Sequence, residues 1–160
     1  MEILDQDGIP GRERLDLGRL DTLVGFHLRM ATAALYRDFA QAMEGTGLTQ
    51  KLFAVLELIE ANPEVSQVDI SATLETDRAT VMALVDRIEA RGLVERRRSE
   101  RDRRRLRLVL TTSGRKVLGD ARRRIAEHER AIVGRLGPEG ASSLVLLLKR
   151  IYGSSQNAPG

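Results

Sequence analysis

Val94 to Thr111 reads VERRRSERDRRRLRLVLT, and the fold turns on how this run is read. Eight of the twelve residues from Arg96 to Arg107 are arginine, yet Leu106, Leu108 and Leu110 alternate out of the run. Alternation with a period of two marks a strand with one buried face. Leu93 and Val94 give an apolar start on the other side of a polar tip, Ser99 to Asp102. The run therefore predicts a β-hairpin whose loop is longer than two residues. Carried through the tip, the alternation sends Arg101, Arg103, Arg105 and Arg107 to one face and Arg104 to the face of Leu106 and Leu108. A flexible basic tail needs no leucines, and an ordinary solvated strand needs no arginines. A hairpin that lays guanidinium groups on a polyanion uses both.

Upstream of the hairpin the apolar spacing is helical. Thr49 or Leu48 starts a helix carrying Leu52, Phe53, Leu56 and Ile59, which Asn62-Pro63 ends. Ser66 caps a short helix from Gln67 to Leu74, and Thr76-Asp77 offers a second cap only a few residues later. The helix after it buries Val81, Leu84, Val85 and Ile88 and closes at Arg91-Gly92. Two short helices joined this tightly follow the helix-turn-helix plan.

On either side lie longer apolar stripes. Leu20, Leu23, Val24, Leu28, Ala31, Leu35 and Phe39 predict one helix from Asp16 to near Gly45–Gly47. Thr111 or Thr112 caps a long helix to about Leu136, and Gly137-Pro138 separates it from a last one, Glu139 to about Tyr152. The run Leu144 to Leu148 leaves no polar face over its turn, which points to a partner subunit. Leu20, Leu23, Leu144, Leu147, Leu148 and Ile151 are the expected dimer contacts. The expected architecture is mainly α with a small β-hairpin wing. A winged helix-turn-helix lobe (48–111) joins a helical dimerisation lobe (16–47 and 112–152), between a flexible arm (1–15) and a tail (153–160).

Composition narrows the function classes. The chain has 160 residues, 42% hydrophobic and 31% charged, with a net charge of only +3. That is globular, with its basic charge concentrated in the hairpin. Of the basic residues only Lys51, Lys116 and Lys149 are lysine, a bias that is either functional or compositional. Without cysteine there are no disulfides, thiol sensors or thiolate metal sites. No apolar run reaches the ~18 residues of a membrane helix, and no signal peptide is legible, so a cytoplasmic protein without a membrane partner is expected. Phosphate loops, nucleophile elbows and metal spacings are not found, so no enzyme and no cofactor are expected.

The candidate DNA contacts follow from the elements. On the second helix Arg78 is the candidate for base readout and Thr80 for a phosphate or base contact, beside Met82, Ala83 and Arg87. In the wing they are Arg97, Arg98, Arg101, Arg103 and Arg104. Each has a plainer reading. Arg78 and Arg87 would be solvated helix charges, with Arg87 paired to Asp86, Glu89 or the hairpin, and the hairpin a solubilising edge. Asp102 would repel DNA if it pointed outward. The expectation is that it accepts hydrogen bonds from the tip and holds the loop's shape.

The run Leu84 to Arg115, LVDRIEARGLVERRRSERDRRRLRLVLTTSGR, resembles the MarR family of bacterial winged helix-turn-helix regulators. The matching pieces are Asp86-Arg87, Gly92-Leu93-Val94, Arg96, Asp102-Arg103-Arg104, and Leu110-Thr111 followed by Gly114. The stretches LTQKLFAVLELI and VSQVDISATLETDRATVMALVDRIE also fit, so the likeness runs from about Asp16 to Tyr152. The resemblance implies a homodimer on a pseudo-palindromic double-stranded operator, with the recognition helix in the major groove and the wing in the minor groove. It implies a repressor released by a small aromatic or phenolic acid-type effector. Phe26, His27, Met30, Tyr36, Phe53 and His128 are the pocket candidates, with plain core packing as their other reading. The alternative function is an architectural or constitutive DNA-binding protein without an effector. Met82 and Ala83 depart from the family, many of whose members carry polar or basic side chains there.

Overall fold

A computed structural model describes residues 15–153. The expected arm and tail, apart from Leu15 and Gly153, lie outside the described residues. A 3-10 turn, Gly18–Thr22, precedes α1 (Val24–Ala42), α2 (Gln50–Ala61), α3 (Gln67–Thr73) and α4 (Arg78–Ala90). The hairpin follows as β1 (Val94–Arg98) and β2 (Leu106–Leu110), then α5 (Thr112–Leu136) and α6 (Pro138–Gly153). The chain is mainly helical with one antiparallel hairpin, the expected fold class. It groups into two compact units that part between Leu35 and Tyr36.

In the first unit the single helix expected from Asp16 is two pieces. Gly18 takes φ +51°, outside the helical region, and its N–H is held by Asp16 Oδ1 at 2.9 Å. Leu23 is extended (φ −91°, ψ 113°), so α1 starts only at Val24.

In the second unit every helix of the helix-turn-helix starts at a side-chain cap. Thr49 Oγ1 accepts from Leu52 N–H, and Ser66 and Asp69 form a reciprocal capping box. Asp77 accepts from Thr80 N–H at 2.8 Å. Such caps satisfy the orphan donors of a first helical turn. Between α3 and α4 Glu75 sits at φ +47°, and Ser71 Oγ donates to the Thr76 carbonyl at 2.6 Å. Four residues, Leu74 to Asp77, thus join the two helices.

The core is one continuous cluster. Leu52, Val55 and Leu56 of α2 meet Ile70 of α3, Val81, Val85 and Ile88 of α4, and Leu118 and Ala121 of α5. Val94, Leu108 and Leu110 bring the hairpin into the same cluster. Val94 pairs with Leu110 and Arg96 with Leu108 across the ladder. Leu108 N–H also donates to the Val65 carbonyl at 2.9 Å, tying β2 to the turn before α3.

The hairpin base is fastened to α5 at one point. Gly92 closes α4 at φ +67°, a conformation other residues adopt at a cost. The Leu93 carbonyl then accepts Thr111 N–H at 3.0 Å, while Thr111 Oγ1 donates to the Gly92 carbonyl at 2.7 Å and accepts Gly114 N–H at 2.9 Å. Gly114 lies so close to Leu93 that a Cβ there would stand 2.0 Å from the carbonyl oxygen.

Several arginines outside the hairpin act as multidentate clamps. Arg122 of α5 grips Glu57 of α2 through Nε and Nη2 at 2.9 and 2.7 Å. Arg91 donates to the carbonyls of Gly47 and Thr46, and Arg124 to those of Ala42 and Glu44. Arg122 and Arg91 use two nitrogens of the fork of donors that lysine lacks, and Arg124 makes both contacts through Nη1. Proline opens α6, where its missing N–H costs nothing. No residue of α6 is buried, and Leu144, Val145, Leu146 and Leu147 are all exposed. Among the described residues no single helix is long and apolar enough to cross a membrane.

Candidate nucleic-acid interface

The site is built from two neighbouring elements. α4 buries Val81, Val85 and Ile88, so the opposite face is open. Ala79, Met82, Ala83, Asp86 and Arg87 are exposed on it or at its edge, and Arg78 is exposed at the first residue of the helix. Arg78 and Arg87 have no hydrogen bond or ion pair among the described residues. The plainer expectation for Arg87 named Asp86 or Glu89 as its partners; both are held instead by Arg96 of β1. Thr80 is half-buried, and its hydroxyl donates to Asp77 Oδ2 at 2.6 Å. Its proton is thereby committed to the cap, which leaves Thr80 an acceptor toward any further partner.

In the hairpin the arginines divide by partner rather than by alternation. Residues 99–105 form the loop, not strand. Ser99 N–H bonds the Arg105 carbonyl, Arg105 N–H bonds the Asp102 carbonyl, and Arg104 N–H bonds Asp102 Oδ1 at 3.0 Å. The face assignment carried through the tip therefore fails: turn hydrogen bonding replaces the pleat from Ser99 onward. Asp102 is exposed and its carboxylate accepts from within the loop.

Arg96, Arg105 and Arg107 are consumed internally. Arg96 bridges Asp86 and Glu89, Arg105 reaches Asp69 at 3.3 Å, and Arg107 pairs with Glu64 at 2.7 Å and with Glu100. Arg97 pairs with Glu95 and Arg98 donates to the Arg103 carbonyl. The side chains of Arg101, Arg103 and Arg104 are exposed and form no hydrogen bond or ion pair among the described residues. The three side chains without a hydrogen bond or ion pair thus all lie in the loop, although Arg105 of the same loop is paired with Asp69 and the Arg101 charge adds to that of Arg107 on Glu64.

Sequence reasoning missed the acids that hold the wing. Ser99 is buried, and its hydroxyl donates to Glu64 Oε2 at 2.5 Å. That bond, opposed by partial burial and reinforced by Arg107, holds the Glu64 carboxyl below the usual carboxylate range. Hydrogen bonds from Ser66 and then the Arg105 charge hold Asp69 low, and Thr80 does the same for Asp77. The only signal for Glu64 was an acid placed after Pro63, at no spacing that names its partner.

These carboxylates give the fold an acid limit. Depressed folded values contribute stability above the unfolded pKa of about 4, and that contribution is lost as pH falls through the lower folded values. Stability measured by urea denaturation is expected to decline below about pH 4, modestly because these groups are at least partly exposed, and Asp69→Asn to flatten that decline. An Asp69→Asn profile that parallels the parent would remove Asp69 from the account.

The effector candidates are placed as follows. In the first unit the Phe26 and His27 rings meet edge-on at 5.4 Å, and Met30 is exposed. His27 Nε2 lies 2.8 Å from the Asp21 carbonyl. In the second unit Tyr36 is exposed and Phe53 packs beside Phe39 at 6.1 Å. The His128 side chain is 11% exposed, and neither ring nitrogen has a hydrogen-bond partner among the described residues. Two grooves in the second unit are lined by other residues, around Glu64 and Asp69 and between Gln67 and Leu106. Of the interface candidates Leu20, Leu23, Leu144, Leu147 and Ile151 are exposed, and Leu148 is partly covered.

A helix-turn-helix with an open second helix, followed directly by a hairpin with free arginines at its tip, defines a winged helix-turn-helix protein. Residues 46–105 match a sequence model of the MarR family. A Thauera aromatica protein assigned to transcriptional regulation of the hcr operon is 32% identical over 137 residues, covering 85% of this chain and 82% of that one. The transcriptional repressor CouR bound to a 23-mer DNA duplex superposes with a TM-score of 0.82 at 35% identity, over 88% of this chain and 99% of CouR. CouR bound to p-coumaroyl-CoA gives 0.79 at 34% identity, over 87% and 98%. The chain belongs to the MarR family of transcriptional regulators; the family and these neighbours are regulators, not enzymes.

Proposed function

We propose that the protein is a homodimeric repressor that binds a pseudo-palindromic operator and is released by an aromatic acid or its thioester. The observation that carries the DNA-binding part is the division of the arginines. Arg101, Arg103 and Arg104 form no hydrogen bond or ion pair at the wing tip among the described residues, while Arg96, Arg105 and Arg107 are paired with named carboxylates, and α4 presents an open face of its own. CouR, seen on a DNA duplex and with p-coumaroyl-CoA, supports both the DNA and the effector class. The exposed leucines of α6 support a dimer. Phe26, His27, Met30, Tyr36, Phe53 and His128 remain the proposed effector contacts.

Fluorescence anisotropy with duplexes from the region upstream of the protein's own gene tests this reading. Specific binding at least about 10³-fold tighter than to random duplex is expected, with release by p-coumaroyl-CoA. Equal affinity for every duplex would favour the architectural alternative, and tight binding indifferent to the thioester would remove the effector. In the same assay Arg103→Ala is expected to weaken binding and to reduce the salt slope by roughly one unit, the signature of one lost phosphate contact. An unchanged slope and affinity would remove Arg103 from the interface.

A further inference from the structure

We infer that α4 reads thymine 5-methyl groups in the major groove, through Met82 beside the methyl groups of Ala79 and Ala83, so that the operator half-site carries A·T pairs beneath this helix. The inference rests on the DNA-binding reading above and adds its base chemistry.

Successive residues of α4 are about 100° apart. With Val81, Val85 and Ile88 buried, Ala79 and Ala83 fall at the centre of the outward face, with Asp86 and Arg87 on either side of them and Met82 at its edge, next to Asp86. Both alanines are exposed and Met82 is 51% exposed. The middle of the recognition surface therefore offers two methyl groups and no N–H or O–H donor; the acceptor nearest to it is the Asp86 carboxylate, which is engaged by Arg96.

The polar groups around it do not make up the deficit. The Thr80 hydroxyl donates to Asp77, and Asp86 is held by Arg96. Arg78 and Arg87 stand at the margins.

Base pairs show hydrogen-bonding groups in the major groove with one exception, the thymine methyl. A G·C pair beneath Met82 would give up water from N7, O6 and the cytosine amine and gain nothing, because polar groups left unpaired on desolvation carry a penalty. An A·T pair also loses water, but its methyl gains apolar contact with the Met82 side chain. The short side chains of Ala79 and Ala83 let the helix approach closely enough for that contact. Hydrogen-bonded readout is left to Arg78 and Arg87 at the ends of the helix.

The test starts from duplexes recovered from a randomised pool by the full chain. Each thymine of the recovered half-site is replaced in turn by deoxyuridine, which keeps every hydrogen-bonding group and removes only the methyl. Affinity is expected to fall about fourfold for each methyl in contact. For the thymine beneath Met82 the fall is expected to vanish in Met82→Ala, as a double-mutant cycle requires. The side chain is half exposed, so the variant keeps its core. Deoxyuridine duplexes that bind as tightly as thymine ones at every position would overturn the inference. So would a loss that survives unchanged in Met82→Ala. A pool that yields no sequence above random DNA would overturn the DNA-binding reading itself, a distinct result.

Discussion

Gly114→Ala is expected to lower the unfolding free energy by about 2–3 kcal/mol. Local propensity alone predicts the opposite, because alanine inside a helix is favoured over glycine by about 1 kcal/mol. The sign is decided by Leu93. A Cβ at Gly114 would stand 2.0 Å from the Leu93 carbonyl oxygen and 2.9 Å from its carbon. Neither atom is the end of a flexible side chain. The oxygen is held by Thr111 N–H, and the Leu93 side chain is buried in the core. Gly119, in the same helix, has nothing within 4 Å of its own added Cβ. Gly119→Ala is therefore the control, expected to be neutral or stabilising by up to about 1 kcal/mol. Urea denaturation followed by circular dichroism compares the two, and equal stabilities would show that the approach at Gly114 does not constrain the fold.

The second large effect belongs to the proposed dimer. Leu147 is 54% exposed and Leu146 62%, inside an unbroken apolar run from Leu144 to Leu148. Leu147→Asp should leave the single chain folded, because the side chain contributes little to its core. Across a subunit interface the same carboxylate would be buried without a partner, at a cost of several kcal/mol. The expected result is a monomer by light scattering. Losing one of two linked half-site contacts should then weaken operator binding by 10²- to 10⁴-fold, the usual order for lost avidity. A variant that remains dimeric would refute the α6 interface.

Much of the fold was legible because it rests on local chemistry. Thr49 or Leu48, Ser66, Thr76-Asp77 and Thr111 or Thr112 announce helix starts, and the N-caps are Thr49, Ser66, Asp77 and Thr111. Leu106, Leu108 and Leu110 announce β2 by alternation. Local reading failed where the chain changes direction. The stripe from Leu20 continued through Leu23 at helical spacing, although Gly18 and Leu23 have the backbone of a break. At the wing tip, alternating arginines looked like pleat, although a turn built on Ser99 and Asp102 had already replaced it.

The candidate site was legible at the level of elements and much less so for partners. That an arginine belongs to the wing follows from its position. Whether it is free follows from acids elsewhere in the sequence: Glu64 is 43 residues from Arg107 and Asp69 is 36 from Arg105. No spacing rule links such pairs. Arginine abundance therefore has a structural use that composition could not separate from bias. Arg91, Arg96, Arg107, Arg122 and Arg124 each satisfy two acceptors.

The joint at Leu93, Thr111 and Gly114 has a mechanical consequence. It fixes the root of the wing to the first turn of a helix of 25 residues, a rod about 37 Å long at 1.5 Å per residue. A tilt of ~5° about that joint moves the far end of the rod by ~3 Å, and the converse holds. The wing root therefore follows the first turn of α5 as one body. The hairpin and the start of α5 thus share one anchor, and the orientation of the wing is set by the same bonds that start this helix.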